Sequence, residues 1–499
     1  MTMRMRAILR WLYPLFFFSL PFQTRWIVRD AVIGGSAWEY GRMSIYGFDI
    51  VLACICLCAF ISLSKRGIKG RGEIQGLMAG VGVLAVTYAL FVSLNPLLTA
   101  AVLARIVSAA FAGWFLIRHM DIIVLRRALT AFVFAMVISA GFGVAQFLVQ
   151  TSLIESKWLG VSEQDPSLLG VSVIEAQGGR WLRAHGTMPH PNALGGFSAL
   201  GLVLFLLLTM ETSPSNAFDW RLSPSKEGIH TISPLRRGRE ATGVQWTPRT
   251  RMRGFIDFTR YTFVAAAPLI LIAGIFTSAS RAALIAAAVG VISVFMFTVR
   301  HFSRRSLVIP LAGMAAGILI ILIAALPVLL PRLTARGRLE SISIERRLSA
   351  FDESVRAFQA YGVLGTGLGS YTVALQTLFP EKKIWEQQPV HNVLLLILIE
   401  LGIGGVLILG FGWLFLKKKP EARSQKPETG IRILNSGFLN LDNGFWKKLF
   451  IPALICWLVL AMLDHYLWTL PTGLYLSVLL WLVFIFRQHL GPPQLSDKF

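Results

Sequence analysis

Apolar runs, mostly about 18–25 uncharged residues long, recur along the whole chain, separated by polar segments. Each is long enough to cross a hydrocarbon core of roughly 30 Å as a helix. The predicted spans are 8–22, 47–63, 76–94, 97–117, 128–150, 192–210, 261–277, 282–299, 306–330, 392–416, 449–468 and 472–486. Membrane β-strands alternate apolar and polar residues in shorter stretches; these runs do not. The pattern predicts an all-α polytopic membrane protein of about twelve transmembrane helices, one integral membrane domain over 1–499. Two long loops, 151–191 and 331–391, fall on one face.

The composition agrees. Of 499 residues, 55% are hydrophobic and only 15% charged, and a soluble chain of that length carries more charged surface. The N-terminal MTMRMR and the apolar run to Phe22 imitate a signal peptide, but Gln23-Thr24-Arg25 follows where small residues would mark cleavage. An uncleaved first helix is expected.

Charge sets the orientation. The formal net charge is +22, and Lys and Arg collect in cytoplasmic loops. MTMRMR, the Lys65-Arg66-Lys69-Arg71 loop, Arg126-Arg127, the 211–260 loop, Arg300/Arg304/Arg305, Lys417-Lys418-Lys419 and Arg487 are separated by even numbers of spans. They share one face, which places both termini in the cytoplasm and makes 211–260 a polar cytoplasmic connector, with 417–448 similar. No basic, aromatic-studded soluble domain is present, which excludes nucleic acid as a partner. Cys54, Cys56 and Cys58 point about 200° apart on one helix and Cys456 stands alone, so neither a disulfide framework nor a metal site is expected.

The 331–391 loop has the wrong sign for its side, with Arg332, Arg336, Arg338, Arg346, Arg347, Arg356, Lys382 and Lys383. An anionic ligand would reward that charge; equally, charge in a long loop translocates freely. Within it, Leu348, Phe351, Val355 and Phe358 recur at helical spacing and predict an amphipathic helix over about 340–360.

Polar constellations stand at the extracytoplasmic ends of the spans. Residues 183–196, Arg-Ala-His-Gly-Thr-Met-Pro-His-Pro-Asn-Ala-Leu-Gly-Gly, lead into a helix whose entry Pro191 and Asn192 mark. Arg183 there is either a solvated loop charge or a bidentate phosphate ligand. Its neighbour Arg180 is the competing choice, and spacing to Gly186 favours Arg183. Arg281, in Thr-Ser-Ala-Ser-Arg-Ala-Ala at 277–283, sits near a helix N-terminus, where a cation is unfavourable without an anion nearby. His391, in Gln-Gln-Pro-Val-His-Asn at 387–392, is either a general base or a helix-capping group. Gly365, Gly367 and Gly369 make a tight turn; no βαβ unit surrounds them as a dinucleotide site requires. Asp464 adds an acid at the same face. Arg105 and Glu400 both lie roughly 12 Å deep at about 1.5 Å rise per residue, where unpaired charge is costly, and an Arg105–Glu400 ion pair is expected.

In order, Arg183, Gly186-Thr187, Pro191-Asn192, Thr277, Ser280-Arg281, Arg347, Tyr361-Gly362, Gly365-Thr366-Gly367-Leu368-Gly369, His391-Asn392 and Glu400-Leu401-Gly402 resemble the O-antigen ligase and polymerase superfamily. The resemblance runs from about residue 8 to 485, with a core at about 128–416. It implies a GT-C-like fold in the bacterial inner membrane. It also implies transfer of a glycan from undecaprenyl diphosphate to an acceptor hydroxyl on the extracytoplasmic side, as lipopolysaccharide and polysaccharide biosynthesis require. By the resemblance, Arg183 and Arg281 engage the diphosphate and His391 activates the acceptor. Asn192, Asn392, Arg347 and Asp464 complete the substrate-binding set, and no metal or other cofactor is implied. Val363-Leu364 stands where the family usually has a Pro before the glycine run, and 211–260 is unusually long. The motifs do not separate ligase from polymerase.

Two other classes are weighed. A lipid-linked glycan flippase would line a path near the midplane and carry inverted repeats; no clear repeat is seen. A non-enzymatic envelope assembly protein would not require the Arg/Arg/His set.

Overall fold

The computed structural model describes residues 3–33, 35–64, 91–156, 158–168, 170–176, 178–210, 248–298, 338–417 and 443–486, with short pieces between 83 and 90 and between 311 and 334. The helices used below are α1 (Met3–Ser19), α2 (Gly47–Ser64), α3 (Pro96–His119), α4 (Ile122–Val149), α5 (Pro191–Met210), α6 (Pro248–Thr277) and α7 (Arg281–Thr298). They continue with α8 (Arg338–Tyr361), α9 (Tyr371–Leu378), α10 (Val393–Lys417), α11 (Asn443–Leu463), α12 (Tyr466–Thr469) and α13 (Pro471–Phe486). Among the described residues, four helices are long and apolar enough to cross a membrane: Gly47–Ser64, Pro96–His119, Ile122–Val149 and Pro191–Thr209. Shorter apolar helices accompany them, at Thr262–Thr277, Arg281–Phe297, Val393–Leu407, Phe450–Leu463 and Pro471–Val483. The chain is thus mostly helical, as a polytopic membrane protein requires. Most of the predicted spans 76–94 and 306–330, and residues 211–247 and 418–442 of the two predicted connectors, lie outside the described residues.

Helix α5 is the axis of the bundle. It is apolar on every side, as a helix surrounded by protein must be, and its whole apolar window is buried. Helices α4, α6, α7 and α11 pack around it, and α1 packs on α4. Two glycines allow the close approach at its N-terminal end. A Cβ on Gly195 would lie 2.3 Å from Ser278 Oγ, and one on Gly196 would lie 1.6 Å from Tyr466 Oη. At the other end of the bundle, Asp121 caps α4 through Val124 N–H (3.1 Å) and pairs with Arg10 of α1 at 2.7 Å.

The all-α expectation is corrected by small antiparallel sheets, three of two strands each among the described residues. β1 (Arg25–Arg29) pairs with β4 (Met43–Tyr46), β2 (Val32–Ile33) with β3 (Ser36–Ala37), and β5 (Val173–Ala176) with β6 (Gly179–Leu182). They fall in polar segments between spans, where β-hairpins satisfy the backbone locally. The predicted span 449–468 is also interrupted: α11 ends at Leu463, and Asp464-His465 intervene before α12.

Helix α10 is broken at Gly402 (φ 65°, ψ 174°). The break leaves backbone groups without helical partners, and the segment 362–367 meets them. Thr366 N–H donates to the Ile399 carbonyl (3.0 Å), Gly367 N–H to that of Glu400 (2.9 Å), and Ile403 N–H to that of Gly362 (2.8 Å). Gly367, at φ 91°, adopts a left-handed conformation that side chains disfavour.

The predicted amphipathic helix is present as α8, and it leaves Ile344, Leu348, Phe351 and Val355 exposed in one stripe. Several basic residues of 331–391 are paired with acids: Arg338 with Glu175 (3.1 Å), Arg356 with Asp352 (3.5 Å), and Lys382 with Glu353. Carboxylates of the protein itself therefore answer part of that positive charge.

Candidate active site

The site grows from the turn between α6 and α7. Thr277 and Ser278 end α6, Ala279 takes a left-handed φ of 50°, and Arg281 opens α7. The segment after β6 docks on this turn, with Ala184 N–H donating to the Thr277 carbonyl at 3.0 Å. Arg183 is buried there, 5% exposed. Its Nε donates to the Ser278 carbonyl (2.8 Å) and its Nη2 to Asn192 Oδ1 (2.6 Å). Arg180, by contrast, is exposed and donates to the carbonyls of Ser167 and Leu168. The two arginines thus part company: only Arg183 reaches the turn that carries Arg281.

Asn192, at the start of α5, relays this contact to the far end of the sequence. Its Nδ2 donates to Asp464 Oδ2 at 2.8 Å. Asp464 lies in the break between α11 and α12, and its Oδ1 accepts the backbone N–H of His465 at 2.9 Å. The His465 and His391 rings meet edge to face, with centroids 5.1 Å apart. Arg183, Asn192 and Asp464 are therefore joined by hydrogen bonds, and His391 meets this line through the ring of His465. Asn392 caps α10, accepting from Leu395 N–H (2.9 Å) and donating to the Met462 carbonyl (3.4 Å), so it fixes the residue next to His391. Arg347, on α8, is half-buried and close enough for its charge to act on both imidazoles.

The electrostatics favour neutral imidazoles. Burial lowers the His391 pKa below its ordinary value; Asp464 raises it and the Arg347 cation lowers it further. Burial takes His465 down to about 4 against the pull of Asp464. For Asp464, burial favours the protonated acid, but His465, His391, His190 and the His465 N–H outweigh it and hold the group below the usual carboxylate range. A neutral imidazole beside a carboxylate can accept a proton at pH 7.

His391, Asp464 and His465 offer donor atoms all within 4.8 Å of one another. Ligands on tetrahedral zinc, at about 2.0–2.1 Å from the ion, stand about 3.4 Å apart. The trio has the donor chemistry for a divalent ion and would have to close up to hold one.

One expectation is corrected. Arg105 pairs with Asp49 at 3.2 Å and donates to the Ser44 carbonyl, while Glu400 accepts from Trp468 Nε1 at 2.7 Å. Asp49 wins because it stands in the first turn of α2, beside α3, and is itself oriented by Tyr46 N–H and Tyr475. The cavity next to His465 gives a second difference. It measures about 120 Å³, Arg105 and Glu400 both line it, and Arg183, Arg281 and His391 do not.

Sequence reasoning passed over His465, although it adjoins Asp464. It likewise passed over His190, whose Nδ1 accepts from Asn192 N–H at 3.1 Å, and Tyr40, whose ring lies edge-on to His465 at 6.2 Å. A histidine next to an acid at a helix end was the available signal for His465. Tyr40 lies in a hairpin segment far away in sequence and gave none.

Apolar helices joined at one end by buried arginine, carboxylate and imidazole groups define the class: a helical membrane protein with a buried polar cluster at its helix ends. Residues 266–410 match the family model described as O-Antigen ligase. The resemblance to the O-antigen ligase superfamily is borne out over this segment, which is less than a third of the chain, and it supports a membrane function of O-antigen ligase or polymerase type. The matched segment contains Arg281, Arg347, His391, Asn392 and Glu400, and leaves Arg183, Asn192 and Asp464 outside it. No curated protein matches the chain.

Proposed function

We propose that the chain is a glycosyltransferase of the bacterial inner membrane, with both termini in the cytoplasm. It takes a glycan from a polyprenyl diphosphate, undecaprenyl diphosphate in bacteria, and joins it to an acceptor hydroxyl on the extracytoplasmic side. The acceptor is a sugar of the lipid-A core or of a growing polysaccharide. The observation that carries this reading is the hydrogen-bonded line from Arg183 through Asn192 and Asp464 to His465, whose ring packs edge-on against His391. It ties a candidate diphosphate-binding turn to a candidate base.

Each group has a physical task. Arg281 at the start of α7 and the helix N-terminus both favour an anion in the same place. A leaving diphosphate gains negative charge as the glycosidic bond breaks, and fixed cations stabilise that change. Arg183 would exchange one of its present bonds for a phosphate oxygen or hold the turn in place. His391, kept neutral by burial, takes the proton of the acceptor hydroxyl as that oxygen attacks the anomeric carbon. Asp464 stabilises the imidazolium that forms.

The test is glycan display in a host that depends on this protein. His391→Ala and Arg281→Ala should each abolish capped surface glycan while lipid-linked donor accumulates on the outer leaflet. Unchanged surface glycan in both variants would remove the site assignment. Donor accumulating on the cytoplasmic leaflet would point to a flippase. Residual glycan that is long but unattached marks a ligase, and glycan attached but one repeat long marks a polymerase.

A further inference from the structure

Helix α8 is divided lengthwise into three faces. At about 100° per residue, Ser354, Ala357 and Tyr361 share one face, and Ser354 and Ala357 are fully buried. Ile344, Leu348, Phe351 and Val355 fall within about 60° of arc, centred about 90° round from Ser354. All four are exposed, Leu348 at 68% and Phe351 at 58%. Glu345, Asp352 and Arg356 lie opposite Ser354 and are exposed too, and no charged residue of α8 falls inside the apolar arc. A helix between protein and water needs two faces only, one apolar and buried, one polar and wet. The third face of α8 is apolar, contiguous and exposed, and a contiguous apolar surface marks a contact in a way that scattered single residues do not.

The chain beyond α8 identifies what makes that contact. Gly362 and Val363 dock in the break of α10, their carbonyls accepting from Ile403 N–H (2.8 Å) and Gly404 N–H (3.2 Å). Val363 and Leu364 are 71% and 57% exposed, and Ile403 is exposed beside them. Helix α10 is apolar from Val393 to Leu407, and Ile403 stands about 15 Å from Val393 along the axis at about 1.5 Å per residue. In a helix that crosses a bilayer, exposed apolar residues at that level meet lipid. The C-terminal end of α8 is therefore pinned to the lipid-facing flank of α10, and the stripe continues that flank along α8. A protein partner on the stripe would have to reach into the apolar layer to cover Val363 and Leu364 as well, whereas lipid covers both.

We infer that α8 and the Val363–Leu364 turn form a membrane-docking edge, with Ile344, Leu348, Phe351 and Val355 bedded in the lipid surface at the N-terminal end of α10. The helix lies in the corner between protein, bilayer and water, its charged side turned to water. By the orientation proposed above, the surface is that of the extracytoplasmic leaflet; only the name of the leaflet rests on that reading.

The experiment places nitroxide labels singly at Leu348→Cys, Phe351→Cys, Glu345→Cys and Asp352→Cys. The background is the full-length chain with Cys54, Cys56, Cys58 and Cys456 replaced by Ala, in vesicles of phosphatidylethanolamine and phosphatidylglycerol. Electron paramagnetic resonance reads collisions with oxygen, which concentrates in lipid, and with a water-soluble nickel chelate. Labels at positions 348 and 351 should collide mainly with oxygen, and labels at 345 and 352 mainly with nickel. Nickel-dominated collisions at 348 and 351 would put the stripe in water, and few collisions of either kind would put a protein partner on it; both results overturn the inference. The wild type supplies a second measurement that needs no substitution. Phosphatidylcholine carrying a diazirine on its acyl chain should leave photoadducts on residues 344–355 and on Ile403–Leu407 alike. Adducts on α10 with none on 344–355 would also overturn the docking edge. Neither readout uses glycan transfer, so failure of the catalytic reading and failure of this one are told apart.

Discussion

Asn192 and Asp464, 272 residues apart in the chain, are joined by a hydrogen bond of 2.8 Å between Nδ2 and Oδ2. The amide is held in one sense. Its oxygen faces the guanidinium of Arg183 and its nitrogen faces a carboxylate, and the flipped amide would set like against like at both ends. Asn192→Ala should therefore take one hydrogen bond from each of two charged groups that are 5% and 2% exposed. The expected result is a lower melting temperature in detergent, from a loss of about 1–3 kcal/mol, with transfer reduced at least about tenfold as the two halves of the site lose register. Asn192→Asp should be worse than Asn192→Ala in transfer, because it sets a second carboxylate against Asp464.

Arg180 and Arg183 supply an internal control. Arg183→Ala should cut kcat/KM by about a hundredfold or more, the scale of one lost charge-stabilising donor in a transition state. Arg180→Ala should stay within about twofold, since an exposed residue away from special features contributes little. Equal losses in the two variants would show that burial at the α6–α7 turn is not what selects between them.

The hub at Asp49 carries stability and no proposed chemistry. It accepts from Arg105, from Tyr46 N–H and from Tyr475, so it fastens α2, α3 and α13 together. Asp49→Ala should lower the melting temperature, with a loss of about 1–3 kcal/mol given that the Arg105 and Asp49 side chains are 21% and 18% exposed. Asp49→Asn should recover part of it by keeping an acceptor. Glu400→Gln should leave Arg105 undisturbed, which an Arg105–Glu400 pair would not allow.

These cases show what the sequence made legible. Hydropathy marks where helices run, because a span must be apolar over its whole length. Helix ends follow, and with them the gathering of Arg183, Asn192, His391 and Asp464. Partner choice does not follow from depth alone. Depth alone matched Arg105 with Glu400, and only packing shows that Asp49 faces it. The interruption at Asp464-His465 was passed over because apolar residues resume at Leu467 and Trp468, although the acid and the histidine are both poor helix formers. The hairpins at 25–46 were passed over because short polar segments between spans carry no periodicity long enough to read.

Chelation tests the cluster of His391, Asp464 and His465. Asp464 is already committed to Asn192 and to the His465 N–H, and the proposed mechanism uses the cluster as an acid–base set with no metal. Washing the detergent-purified chain with EDTA should leave transfer unchanged, and added zinc should inhibit by occupying His391. Loss of transfer on chelation, restored by a divalent ion, would reverse that assignment.

The pH dependence follows from the imidazoles, and its sign is fixed. A base must be neutral to act, and the pKa of His391 lies below 6.5, lowered first by burial and further by Arg347. Transfer should be flat from pH 7 upward through the neutral range and fall only as pH drops through that lowered value. Arg347→Ala removes a cation that disfavours protonation, so the His391 pKa rises and the acid limb moves to higher pH. An unmoved or lowered limb would take Arg347 out of the site. Stability should follow the same direction for a separate reason. His185 and His465 are held at about 4 by burial, against 6.5 in an unfolded chain. Between those values the unfolded state binds protons that the folded state does not, so melting temperature should decline steadily as pH is lowered from 6.5 toward 4. His465→Gln should flatten that decline while Arg347→Ala leaves most of it intact, which separates the acid limb of catalysis from acid unfolding.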